Sequence, residues 1–376
     1  AKAWIALPSD NKGLQRYAHR RGLRATRIVD NDFRELWAKM DAILYGVLDR
    51  FEARYLIIFD SLEKLAQKTE PSKTDATYFA SSVPNNFISH TRFFEKLVNP
   101  KWLPLLRAKG VFKDPPPTEY GYENGGRTIR YPLWPAATYL LKMARAEPIS
   151  VRDILLEVAE TDNANVKSAL LEISAALPKA ERLSLVERIK TWVQTEHSMY
   201  IATKANEVIT KFLDDGEVAV AVDIAKVLLE LHPIPRSPIT LTEGHTYTPS
   251  PDVRGRMDEW KYGRFMKEEF RKIVRLDPKA ALNLGAELLN EYVTLSYPGH
   301  LSGEEAYRDY TYISRPAIEN HSQNHMHDDL EDHLIEAVRD VAMDIVNGAP
   351  SKLGEVVAYF KQKRWSVFIR LAMHVV

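Results

Sequence analysis

The sequence predicts an all-α protein, an α-solenoid of stacked helix pairs, broken by one small β-hairpin and one long proline-rich loop. Three observations predict it. Apolar residues recur at helical spacing over most of the chain, helix starts fall at regular intervals, and the two stretches that escape the pattern are rich in Pro and Gly.

Composition sets the bounds. The chain has 376 residues, 45% hydrophobic and 27% charged, which is enough apolar material for a core without disulfides or metals. Lys+Arg and Asp+Glu both number 51, so no overall charge draws the chain to nucleic acid or membrane. The absence of Cys excludes disulfides, thiolate metal sites and a Cys nucleophile. The N-terminal apolar run is too short for a signal peptide. The stretch from Val218 to Leu231 is interrupted by Asp223, Lys226 and Glu230, so it does not read as a membrane span and a cytoplasmic location is expected. The chain ends on an apolar helical pattern, residues 365–376, with no polar tail, which suggests one piece of a longer protein.

Residues 1–30 form a basic segment, with seven Lys/Arg against Asp10 and Asp30, a net +5. Arg16, Arg20, Arg21, Arg24 and Arg27 are its candidate binding residues, suited to a nucleic-acid backbone, an adjoining domain or a solvated face. Residues 31–147 form a helical region, opened by a long stretch over 31–68 with Phe33, Trp37, Tyr45, Phe51, Tyr55 and Phe59 as core candidates. Within it, residues 118–131 read as a hairpin turning at Asn124-Gly125, because Asn-Gly supplies two positive-φ residues.

Residues 148–231 carry the clearest repeats. Val151, Ile154, Leu155 and Val158 mark one helix face; Val166, Ala169, Leu170, Ile173 and Leu177 mark the next, after the break at Thr161-Asp162-Asn163. Helix starts near 149, 165, 180, 199 and 216 give a helix pair every roughly 31–36 residues, the size of a helical-hairpin repeat. Residues 232–256, with five Pro and several Thr, are expected to form the long loop. Residues 257–376 return to helices, split at Asp277-Pro278 and again at Asn347-Gly348-Ala349-Pro350.

No motif in the chain carries a recognised chemistry. Asn124-Gly-Gly-Arg lacks the phosphate-loop frame, Gly299-His-Leu-Ser302-Gly303 lacks the hydrolase elbow, and Ser61-Leu-Glu-Lys64 stands without its companion motifs. The run from His321 to His333 concentrates imidazoles and carboxylates that suit a metal ion, yet its acidic half falls where a helix begins, where carboxylates complement the dipole. No catalytic residue, metal site or cofactor is therefore assigned. Arg315, Pro316, Glu319 and Asn324 are expected to form a structural joint between helical layers, with Pro316 stiffening the turn and Arg315 and Glu319 supplying charge-assisted hydrogen bonds. Residues 319–344 hold eight carboxylates against Arg339, a net −7.

Several phrases carry a resemblance: Asp49-Arg-Phe-Glu-Ala-Arg-Tyr55, Val83-Pro-Asn-Asn86, Phe93-Phe-Glu-Lys-Leu-Val-Asn-Pro-Lys-Trp102, Pro115-Pro116, Tyr131-Pro-Leu-Trp134-Pro135, Asp162-Asn-Ala-Asn-Val166 and Tyr312-Ile-Ser-Arg315-Pro316. Together they resemble the HEAT- or TPR-like helical-repeat region of large bacterial proteins similar to STAND-type NTPases and defence proteins. The resemblance spans residues 31–376 and implies a sensing or scaffolding role with a protein partner or adjoining domains. It brings no catalytic residues. Two alternatives remain at this point: a nucleic-acid-binding array using the basic N-terminus, and a metal-dependent enzyme at the His-rich run.

Overall fold

A computed structural model describes Lys39 and residues 58–84, 86–123, 126–195, 201–240, 246–247, 251–297, 310–321, 324 and 329–376. The chain divides into two units, Ala1–Leu65 and Ala66–Val376. Of the first, the described part is Lys39 and helical residues 58–65. The described helix continues to residue 66, short of the expected 68; residues 31–57 other than Lys39 lie outside the described residues, as does the basic segment with Arg16, Arg20, Arg21, Arg24 and Arg27.

The second unit is mostly helical. Its helices are α1 (Lys73–Ser82), α2 (Phe87–Lys96), α3 (Trp102–Arg107), α4 (Pro135–Met143), α5 (Pro148–Glu157), α6 (Ala164–Ala176), α7 (Lys179–Leu183) and α8 (Val186–Val193). They continue as α9 (Ala202–Asp214), α10 (Val218–Leu228), α11 (Glu259–Leu276), α12 (Pro278–Ser296), α13 (Thr311–Ser314), α14 (Leu330–Gly348), α15 (Leu353–Lys361) and α16 (Ser366–Val375).

Local chemistry explains the starts. Ser72 and Asp75 make a reciprocal capping box on α1; Asn86, Asn163, Asp258, Asp277 and Asp329 each accept a first-turn N–H of the helix that follows. Pro135, Pro148 and Pro278 occupy first-turn positions where no N–H is needed. Gly216 ends α9 with φ +78°, and the next N–H, of Glu217, returns to Phe212 O at 2.8 Å. A side chain at that left-handed position would strain the turn.

Helix contacts fall into two series. One runs α2–α4–α6–α9–α11–α14; the other runs α1–α3–α5–α7 and α8–α10–α12–α14–α16. The two series are cross-tied by α9–α10, α11–α12 and α6–α8. The longer helices present apolar stripes to these neighbours: Val208, Ile209 and Phe212 of α9, and Leu334, Val338 and Val341 of α14, are all buried. Near the start of the unit the core is aromatic. Phe79 and Phe93 stack at 4.2 Å, and Phe93 meets Trp102 edge-on at 5.3 Å.

The described residues hold three two-stranded sheets. The expected hairpin is present: β1 (Glu119–Glu123) pairs antiparallel with β2 (Gly126–Arg130), Glu119 opposite Arg130 and Glu123 opposite Gly126. Asn124-Gly125 lies outside the described residues. The segment expected as a loop over 232–256 is different from expectation. β3 (Leu231–Ile234) pairs antiparallel with β6 (Asp252–Gly255), and β4 (Ile239–Thr240) pairs with β5 (Thr246–Tyr247). Proline does not forbid this, because each strand of a two-stranded ribbon has an open edge where the missing N–H costs nothing, and Pro233 sits in β3 opposite Val253. Arg256 anchors the base of this arm, donating Nε to Val227 O and Nη1 to Thr195 O, both at 3.2 Å, and pairing with Glu230.

Candidate functional site

A groove of about 980 Å³ lies between α1–α2 and the chain flanking the hairpin in the second unit. Its floor follows from the aromatic core beneath it. Phe79, Phe94 and Trp134 are buried, and His90 lies between Phe79 at 5.1 Å and Phe94 at 6.2 Å. Burial holds the His90 imidazole below its usual range, so it sits there as a neutral ring at pH 7. Lys142 of α4 secures the floor from behind. Its Nζ donates to the carbonyls of Phe94, Glu95 and Leu97 at 3.4, 2.6 and 3.3 Å, closing the C-terminal end of α2 with a cation.

The walls are proline. Pro115, Pro116 and Pro117 line one side, and Pro132 and Pro135 bracket Leu133 and Trp134 on the other. Both walls are the roots of the β1–β2 hairpin, and the N-terminus of α6 clamps them. Asn163, fully buried, donates Nδ2 to Pro116 O at 3.0 Å and Pro132 O at 2.8 Å, while its Oδ1 accepts from the Asn165 and Val166 N–H groups. Asn165 Nδ2 reaches Tyr131 O at 2.6 Å. Asp162 accepts from the Thr118 N–H at 3.3 Å and the Tyr120 hydroxyl at 3.0 Å. Burial alone would raise the Asp162 carboxyl, but the hydrogen bonds from Thr118 and Tyr120 outweigh it and hold the group below its ordinary value.

The rim is unusually apolar for a surface. Phe87 and Leu133, at 50% and 57% exposure, both line the groove. Two large apolar side chains exposed in the lining of one groove are the kind of surface that marks a contact site more often than a solvated face. The charged groups of the lining are Asp114, Glu119 and Lys109.

The expected joint is a second ordered polar site. Arg315, 1% exposed, donates Nη1 to Asp332 Oδ1 at 2.8 Å and Nη2 to Glu336 Oε1 at 3.2 Å on α14. Arg370 of α16 donates Nη2 to the carbonyls of Arg315 and Pro316 at 2.6 and 2.9 Å. Asn324 closes the turn by giving Nδ2 to Ala317 O and Glu319 O at 2.9 and 2.7 Å and taking the Ala317 N–H at 3.2 Å. The Glu319 carboxylate does not hold the turn; its neighbour is His374 Nδ1 at 3.8 Å, and Glu319 serves the joint through its backbone carbonyl.

The acidic run is partly neutralised by Arg271, distant in sequence, and by Arg339 within the run itself. Arg271 of α11 pairs with Asp340 and, at 3.4 Å, with Asp344, and Arg339 pairs with Asp340 at 2.6 Å. Of the His-rich run, His325, His327 and Asp328 lie outside the described residues, and Asp329 caps α14. Among the described residues no group of three or more His, Asp and Glu is placed to hold a metal ion, and no helix is long and apolar enough to cross a membrane.

Sequence reasoning did not assign the groove. Its proline and aromatic phrases are plain in the sequence, but which of them stand side by side depends on the clamp at Asn163. No family model, curated protein or solved structure matches the chain.

Proposed function

We propose that this chain is a recognition region: a solenoid of helix pairs that binds a protein, without catalysis of its own, as part of a larger bacterial defence or signalling protein. The observation that carries the reading is the open groove with Phe87 and Leu133 exposed over a buried aromatic floor. The helix contacts support the solenoid part, since each series links every second or third helix along the chain, as stacked helical hairpins do. Such stacks present continuous surfaces that suit proteins and peptides.

A photo-crosslinking side chain at position 133, with a matching control at the exposed Glu355 of α15, tests the reading. Adducts are identified by mass spectrometry, and the purified partner is titrated against the wild type and the Phe87→Ser/Leu133→Ser double variant. A partner joined at 133 and not at 355, whose affinity drops at least about tenfold in the double variant, supports the reading; tenfold is about 1.4 kcal/mol. Equal affinity for both proteins overturns it.

A further inference from the structure

Within that recognition reading, the geometry points to one class of occupant for the groove: an extended peptide segment that alternates bulky apolar residues with Lys or Arg.

The hydrogen-bonding character of the groove is the first reason. Five of its lining residues, Pro115, Pro116, Pro117, Pro132 and Pro135, have no N–H to offer. Two of the carbonyls in these walls, those of Pro116 and Pro132, are already taken by Asn163. The five prolines leave these walls poor in backbone donors, Lys109 and Asn86 being the exposed side-chain donors of the lining, so a ligand rich in acceptors finds few partners along the proline walls. A ligand that brings its own donors meets no such penalty.

Charge is the second reason. The Asp114 and Glu119 carboxylates line the groove, and neither has an ion-pair or hydrogen-bond partner among the described residues. Lys109 is the one cation of the lining. A Lys or Arg side chain entering beside Asp114 or Glu119 supplies the missing donors and the missing charge together.

Shape is the third. The floor of Phe79, Phe94 and Trp134 accepts a bulky apolar side chain, and Phe87 and Leu133 flank it at the rim. An alternating sequence in extended form sends successive side chains to opposite sides, so apolar residues can face the floor while the long basic side chains reach for the Asp114 and Glu119 carboxylates of the lining.

Fluorescence anisotropy of the full chain tests this with three fluorescein-labelled octapeptides: alternating Leu and Lys, the same peptide with Glu for Lys, and the same peptide with Ser for Leu. The Leu/Lys peptide is expected to bind saturably, and each of the other two at least about tenfold more weakly, or about 1.4 kcal/mol. The Asp114→Lys/Glu119→Lys variant is expected to reverse the preference between the Lys and Glu peptides. The Leu133→Ser variant is expected to weaken the Leu/Lys peptide alone. Equal binding of the Lys and Glu peptides, or binding indifferent to all three substitutions, overturns the inference. If no octapeptide binds while the crosslinked partner at position 133 still depends on Phe87 and Leu133, the basic–apolar chemistry is wrong and the recognition reading stands. If both fail, both are wrong.

Discussion

Arg315 and Asp332, seventeen residues apart, form a buried ion pair with Nη1 2.8 Å from Oδ1. The pair fastens the turn before α14 to the first turn of α14 itself, and Glu336 takes the second arm of the same guanidinium at 3.2 Å. Burial raises the Asp332 carboxyl above its ordinary value, Arg315 pulls it down, and Asp329 and Glu336 add repulsion. The arginine therefore offsets only part of the desolvation cost.

Arg315→Ala leaves Asp332 buried with no cation, and a loss of about 3–5 kcal/mol in unfolding free energy is expected. The loss depends on pH in a definite direction. A carboxyl raised in the folded state contributes stability below its ordinary value of 3.8 and loses that contribution as pH rises through the folded value. Without Arg315 that folded value climbs further, so the variant's deficit is expected to be larger at pH 7 than at pH 4. Urea denaturation at both pH values measures it, and a deficit that is flat or shrinks toward pH 7 contradicts the assignment.

Asn163→Ala removes two bonds to proline carbonyls and the side-chain cap of α6 at once. A loss of about 2–3 kcal/mol is expected from one cap and the buried acceptors left open. Asn163→Asp keeps the cap and deletes the amide donors, so it separates the two contributions. If it matches the wild type in stability, the clamp on the hairpin roots is energetically idle.

Asp162 predicts an acid response of the opposite sign to Asp332. Its folded value is lowered, so its contribution is fully present above the ordinary 3.8 and fades as pH falls through the lowered value. The hairpin root should loosen selectively in that window, because Thr118 and Tyr120 lose an ionised acceptor. Hydrogen exchange of the Thr118 amide, measured against pH in the wild type and in Asp162→Asn, reads this. The wild type should lose protection on acidification, and the variant should begin lower and change less.

Gly263 lies in α11 against the His333 ring of α14, where an added Cβ would fall 2.2 Å from Nε2. Gly→Ala inside a helix ordinarily stabilises by about 1 kcal/mol. Here Gly263→Ala is expected to destabilise by about 1–3 kcal/mol, because the buried ring has nowhere to move without disturbing the α11–α14 contact. Adding His333→Ala should recover part of that loss, and thermal unfolding of the three variants decides it.

Much of the helical framework could be read directly. Breaks at Asp162-Asn163, Asp214-Asp215-Gly216 and Asp277-Pro278 coincide with helix boundaries, because caps, left-handed glycines and first-turn prolines act over three or four residues. The 3.6-residue period is equally local, since each stripe is a property of one helix. The segment over 231–255 went the other way. Pairing Leu231 with Gly255 and Ile234 with Asp252 is a contact between distant residues that strand propensity alone does not report.

What the sequence determined by itself is the helix boundaries at Asp162-Asn163, Asp214-Asp215-Gly216 and Asp277-Pro278 and the hairpin bracketing Asn124-Gly125. Tertiary structure alone decided the rest. It brought Asp162 to Thr118, Asn163 to Pro116 and Pro132, and Arg271 to Asp340, and it placed Phe87 and Leu133 in the lining of one groove. The physical reason is that caps and periodic stripes are fixed by neighbours within a turn or two. An ion pair, a clamp or a groove needs two segments whose meeting is settled by how the intervening helices pack, and composition carries no record of that packing.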